Sequence, residues 1–199
     1  MVETVLISTF YSFEPLVAAA HVYSPSKIVL LIAEETFSHA HVKEALAKAK
    51  DIYSKVAKME IIKINGTDVF ASAEKVSELL DKMKGRRIIV SISGGKKLMS
   101  QGVLYGCYSR PELVDKVVCN DMTPDNRLIE LPKLNFGLTS AKRELLEEIS
   151  KRNGKSIADI AKKLDKTRGM LYQHLKELKE SGYVDDKFEI TLAGRLALI

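Results

Sequence analysis

The sequence predicts an α/β protein: a mostly parallel sheet with helices on both faces, followed by a second, smaller unit. Three observations predict it. Apolar strands alternate with amphipathic helices as far as residue 131. That alternation implies βαβ units. The strands are apolar almost without interruption, which marks burial on both faces. After a break at 131–139 (LPKLNFGLT), consecutive helices replace the alternation.

The first strand is 4–8 (TVLIS) and the second 27–33 (KIVLLIA), rich in branched residues. The third is 60–64, the fourth 86–93 (RRIIVSIS) and the fifth 114–119, with a shorter sixth at 127–131. Between them the 3.6-residue period predicts helices. The first covers 14–23. The second covers 41–58, with Leu46, Ala49, Ile52, Tyr53 and Val56 along one side. The third covers 72–84, its apolar face built from Val76, Leu79, Leu80 and Met83, and Gly85 stops it. The fourth covers 97–108. This order is a doubly wound, Rossmann-like sheet. Pro132, Asn135 and Gly137 break the periodicity. The first domain is therefore read as 1–131, a linker as 132–139 and the second domain as 140–199.

The second domain opens with a helix over 140–152, with Leu145, Leu146 and Ile149 inward and Asn153 and Gly154 at its end. Ser156 and Asp159 have capping-box spacing and begin a helix that reaches Leu164. Thr167 caps a longer third helix ending near Gly182. Short strands at 182–184 and 188–191, joined by Asp185, Asp186 and Lys187, form a hairpin, and a last helix starts at Leu192.

Composition excludes several classes. Apolar residues are 46% and charged residues 29% of 199, as in a globular protein rather than a disordered one. Apolar runs such as 28–33 are far too short to span a bilayer, and the N-terminus has no signal-peptide pattern. The expected location is cytoplasmic, with no membrane partner. Cys107 and Cys119 form no metal or disulfide pattern, and both are expected as buried, inert thiols. Neither His39 and His41 nor any other spacing suits zinc; no metal and no cofactor are expected. Net charge is +5, and residues 138–199 carry 13 basic and 10 acidic side chains, a mild basic bias that permits nucleic-acid binding without requiring it.

Three short helices and a hairpin are the parts of a winged helix-turn-helix. In the third helix Leu171, Leu175 and Leu178 fall on the core side. That leaves Thr167, Arg168, Gly169, Tyr172, Gln173 and Lys176 outward, with Lys166 just before them. Arg reads guanine and Gln reads adenine in the major groove, while Lys166 and Lys176 suit phosphates. The acidic wing tip, Asp185 and Asp186, is repelled by phosphates and speaks against a wing contact. The stretch closely resembles the winged helices of bacterial and archaeal regulators, through Ile160-Ala161, His174-Leu175, Leu178, Ser181 to Val184 and Thr191 to Gly194.

In an open parallel sheet, ligands bind at the carboxyl ends of the strands. After the first strand stand Ser8, Thr9 and Phe10, followed by Tyr11 and Ser12; after the fourth stand Ser93, Gly94, Gly95, Lys96 and Lys97. Adjacent glycines, a helix N-terminus and two lysines make a phosphate cup. A tight strand-to-helix turn with solvated lysines has the same pattern. The loop is neither a dinucleotide fingerprint nor a Walker A loop.

Hydroxyl residues after strand one, the S-G-G-K-K-x-M loop after strand four and a C-terminal winged helix together resemble the CRISPR-associated Rossmann fold (CARF) family, in particular its archaeal transcription regulators. The resemblance covers the whole chain. It implies a homodimer with a cyclic oligoadenylate, the four-membered ring in the first instance, bound across the two-fold axis as effector. It implies that Ser8, Thr9, Phe10, Ser93, Gly94, Gly95, Lys96 and Lys97 line that site, with Asn120, Asp121 and Met122 on the same edge as weaker candidates. The output would be binding of double-stranded, palindromic promoter DNA by a protein that is not an enzyme. The alternative is a CARF-type ring nuclease that slowly cleaves the ring, with Lys97 stabilising charge and Ser8 or Thr9 orienting the ribose. No histidine or carboxylate stands within the Gly-Gly-Lys-Lys loop to serve as a general base.

Overall fold

The computed structural model describes residues 2–121, 123, 127–134, 138–151, 156–164 and 166–198. Met122, Asn135, Gly137, Asn153 and Gly154, all named above, lie outside them. The chain divides into two compact units, Met1–Leu131 and Pro132–Ile199.

The first unit is a six-stranded sheet in the order β3-β2-β1-β4-β5-β6. Its strands are β1 (Thr4–Thr9), β2 (Lys27–Ala33), β3 (Lys58–Ile64), β4 (Arg87–Ser91), β5 (Lys116–Asn120) and β6 (Leu128–Leu131). The first five are parallel, and β6 returns antiparallel to β5. The helices are α1 (Glu14–Tyr23), α2 (Ala40–Tyr53), α3 (Val69–Asp81) and α4 (Lys97–Ser109). Successive side chains along a strand point to opposite faces, so each central strand feeds two cores. Val5, Ile7, Val29 and Leu31 pack with Val76, Leu80, Met99 and Val103 of α3 and α4. Leu6, Ile28, Leu30 and Ile32 pack with Leu16, Ala19, Val42 and Leu46 of α1 and α2. The doubly wound class is thus borne out.

Several sequence readings change. The second helix stops at Tyr53 instead of continuing to 58, because Lys58–Ile64 is taken by β3 in register with Lys27–Ala33. Ile52 and Val56, expected inward, are consequently 51% and 72% exposed. The third helix begins at Val69, before the expected 72, because the Asp68 side chain caps it by accepting from the Ala71 N–H at 3.0 Å. Cys107 is buried, which pushes its thiol up to about 12, but Cys119 is only half-buried. No helix among the described residues is long and apolar enough to cross a membrane.

The second unit contains α5 (Ser140–Ser150), α6 (Ile157–Lys163), α7 (Arg168–Glu180) and α8 (Leu192–Ala197). Leu145, Leu146, Ile149, Ile160, Leu171, Leu175 and Leu178 form its core. Ser156 and Asp159 close a full capping box at the start of α6. The expected pair of wing strands reduces to one bridge, Val184 to Ile190. Asp185 is the reason: its Oδ1 accepts from the Lys187 and Glu189 N–H groups, at 2.8 and 2.9 Å, and Phe188 adopts φ +56°. That curls the tip before a ladder can extend.

Candidate functional site

The strand order reverses direction between β1 and β4, and there the two carboxyl ends lie side by side, Ser8 opposite Ser91. This is the crevice where open α/β sheets take ligands. The loop after β1 and the loop after β4 are joined by direct bonds. Thr9 Oγ1 accepts from the Gly94 N–H at 3.0 Å and donates to the Ser91 carbonyl at 3.4 Å. Ser93 Oγ accepts from the Asn120 N–H at 2.7 Å, and Ser100 Oγ donates to the Gly94 carbonyl at 3.1 Å. The two glycines are needed for different reasons. A Cβ on Gly94 would sit 2.5 Å from the Thr9 carbonyl oxygen. Gly95 has φ +82°, and a Cβ there would collide with the Met99 side chain.

The candidate residues therefore separate into two groups. Ser8, Thr9 and Phe10 are essentially fully buried in the single chain and support the loops from beneath. The Phe10 N–H also bonds the Leu31 carbonyl at 2.8 Å, extending the pairing of β1 with β2. Gly95 and Lys97 are exposed, and Ser93 and Lys96 are half-buried. No side chain caps the first turn of α4, so its N-terminal N–H groups and Lys97 present positive potential at the rim. Asp121 closes its own loop instead of facing the crevice: its Oδ1 accepts from the N–H groups of Thr123 and Arg127, both at 3.1 Å. Two features escaped the sequence reading. Glu35, in the 3-10 turn Glu34–Thr36 after β2, places a carboxylate 3.6 Å from Lys96 Nζ. Tyr11 and His41 stack as a tilted pair, with centroids 5.3 Å apart. Both features follow strand ends or open helices on the carboxyl edge, and position relative to the strands was the signal that would have found them.

In the second unit, Thr167 caps α7 by accepting from the Met170 N–H at 3.4 Å. Leu171, Leu175 and Leu178 are buried, while Thr167, Arg168, Gly169, Tyr172, Gln173 and Lys176 are all exposed. Met170, which the sequence reading omitted, is exposed among them. A hollow of about 420 Å³ between α6 and α7 is lined by Ala158, Ala161, Lys162, Lys166, Thr167 and Arg168. Internal partners already engage several of the polar groups. Lys166 is largely covered and lies 3.4 Å from Glu144, and Gln173 Nε2 donates to Glu177 Oε1 at 2.8 Å. Lys176 lies 3.9 Å from Glu180. The wing-tip Asp186 is paired with Lys179 at 2.7 Å. Arg168 has no carboxylate partner among the described residues.

A Rossmann-like sheet with a loop-lined switch point, joined to a winged helix-turn-helix, defines a two-domain protein of the regulator type. Residues 17–131 match the family model of the Csa3 CRISPR-associated Rossmann-like domain. The chain belongs to that family, as its resemblance to CARF proteins implied. Residues 139–186 match the bacterial regulatory proteins of the arsR family, the helix-turn-helix part. No curated protein matches the chain in sequence. Among solved structures, Enterococcus italicus Csm6 bound to cyclic hexa-2'-fluoro-hexa-dAMP is 13% identical with a TM-score of 0.57, over 90% of this chain and 54% of that one. Can2 from Sulfobacillus thermosulfidooxidans, in complex with cyclic tetra-adenylate, is 13% identical with a TM-score of 0.48, over 98% of this chain and 63% of that one. The chain thus spans less than two thirds of either neighbour, and at this identity the likeness is one of fold.

Proposed function

We propose that the protein is a dimeric transcription regulator. Its winged helix binds palindromic promoter DNA, and its Rossmann-like domain senses a cyclic oligoadenylate at the dimer interface, cyclic tetra-adenylate in the first instance. The observation that carries this reading is the clamp between the loops after β1 and β4, beside an uncapped helix N-terminus bearing Lys97. A phosphodiester ring brings anionic groups to such a place. The cyclic nucleotide bound to the structural neighbour Csm6 supports that ligand class.

A second copy of the chain is the proposed partner of the apolar rim. Phe70 is 83% exposed in the first turn of α3, and Leu98 and Tyr105, seven residues apart on α4, are 45% and 51% exposed. Two-fold symmetry gives both protomers the same contacts to a two-fold ring. In DNA, the first turn of α7 enters the major groove, with Arg168, Tyr172 and Gln173 toward base edges and Lys162, Lys166 and Lys176 toward phosphates. The cytoplasm follows from that partner. The protein is read as a non-enzyme. The Ser8 and Thr9 hydroxyls, which a ring-cleaving reading would assign to the ribose, are buried and bonded within the chain.

Calorimetry with cyclic tetra-adenylate tests the sensor: binding at one ring per two chains, lost in Lys96→Ala/Lys97→Ala, is the expected result. Gel shifts with promoter DNA test the output. Arg168→Ala is expected to weaken specific binding by about 1–3 kcal/mol, and absence of any low-salt retardation by the parent protein would overturn the DNA reading. Intact ring after prolonged incubation supports a non-enzyme; linear product overturns it.

A further inference from the structure

Glu35 and Lys96 come from different strand ends, yet one bonded unit ties three loops together at the rim of the crevice. Glu35 Oε1 lies 3.6 Å from Lys96 Nζ, and Oε2 accepts from the Gly66 N–H at 3.2 Å. Both side chains reach solvent, each 37% exposed, so an incoming anion can approach them. The packing around them is tight. A methyl group on Gly66 would sit 2.7 Å from Glu35 Oε2 and 3.1 Å from Lys96 Cδ. The carboxyl is held below its ordinary range, chiefly by a hydrogen bond from its own backbone N–H, then by Lys96 and the Gly66 N–H, so it is an anion at neutral pH.

We propose that Glu35 sets the affinity of the ligand crevice: it is a resident anion from which Lys96 must be drawn by the phosphates of the ligand. This rests on the sensor reading above. A phosphate approaching Lys96 competes with a carboxylate already in place. The Gly66 N–H keeps that carboxylate fixed after the lysine leaves, so the incoming charge also meets a like charge at short range. A mononucleotide, carrying one phosphate to one protomer, gains little from the exchange. A ring that brings phosphates to both protomers meets the same cost at two sites, so Glu35 lowers its affinity twice over.

The test is calorimetric titration of the full-length protein with cyclic tetra-adenylate, and separately with adenosine monophosphate, for the parent and for Glu35→Gln. The amide retains an acceptor for the Gly66 N–H and removes only the charge. The expected result is tighter ring binding, by about threefold per protomer and about tenfold for a ring meeting two copies. The preference for ring over monophosphate should widen by about threefold, because the monophosphate gains at one site only. The dependence of log Kd on log salt should steepen, because two more cations are free to meet phosphate. Glu35→Ala, which also releases the Gly66 N–H, should change affinity in the same direction and serves if the amide variant does not fold. Parent binding that is unchanged or weakened in the variants makes Glu35 a neutral bystander or a direct acceptor of the ligand, and overturns the proposal alone. No binding by parent or variant overturns the sensor reading and this inference with it.

Discussion

At the scale of single residues, Thr9 joins the two loops of the crevice from a buried position. It is 1% exposed, yet its hydroxyl accepts from the Gly94 N–H and donates to the Ser91 carbonyl. Thr9→Val keeps the volume and removes the acceptor, leaving a buried N–H unsatisfied at a cost of about 1–3 kcal/mol. The expected outcome is a lower melting temperature together with weaker ring binding, whereas Thr9→Ser restores the acceptor and most of both. Equal ring affinity in the valine variant would show that the clamp does not shape the crevice. The sequence made Thr9, Gly94 and Gly95 legible as a group at two strand ends. It did not reveal that one glycine N–H is already spent on the threonine, since that bond joins positions 85 residues apart. Glu35 was invisible for the same reason: nothing local to a glutamate after a strand says which lysine will face it.

At the scale of elements, local pattern was the reliable guide wherever burial and capping agreed, and it failed where a tertiary partner decided. The stripe of Leu171, Leu175 and Leu178 fixed the outward face of α7 correctly, because a helical period leaves one choice of core side. The wing hairpin is present but its strands are shorter than expected, because Asp185 spends its side chain on two backbone N–H groups of the turn, a preference that alternation of apolar residues does not express. Glu177 shows how α7 is secured. Hydrogen bonds from Lys142 on α5 and from Gln173 hold its carboxyl down to about 2, against an ordinary 4.5. A depressed carboxyl stabilises the fold fully above its unfolded-state value and loses that contribution as pH falls through its folded-state value. The melting temperature of the parent should therefore fall more steeply between pH 4.5 and about 2 than that of Glu177→Gln, whose side chain does not titrate. Parallel melting curves across that window would remove Glu177 from the account of α7. Near neutral pH the same variant releases Gln173 and Lys142 from a charged partner, so a change in DNA affinity without loss of helicity would assign the restraint on Gln173 to this carboxylate.

At the scale of the whole molecule, the sequence disclosed the order of parts, because a change of period from strands to helices needs no knowledge of contacts. It disclosed association less well. Leu98 and Tyr105 read as ordinary members of an apolar helix until the sheet on one side and α3 on another leave them outward. If this face joins two copies, association and DNA binding are linked through charge counting. Each protomer offers three lysines to phosphates, Lys162 and Lys166 at the α6–α7 hollow and Lys176 on α7. A dimer that neutralises about six phosphates should show a slope of log affinity on log salt near −5, from about −0.9 per phosphate released. Leu98→Asp puts a carboxylate into the proposed contact and leaves the sequence of the second unit unchanged. The expected result is a monomer in sedimentation, a salt slope near half the parent value and no ring bound at one per two chains. A variant that stays dimeric with an unchanged slope would move the interface elsewhere on the first unit. A variant that becomes monomeric yet keeps the full slope would mean that one copy alone supplies the phosphate contacts, and the palindromic arrangement of the DNA site would then fall.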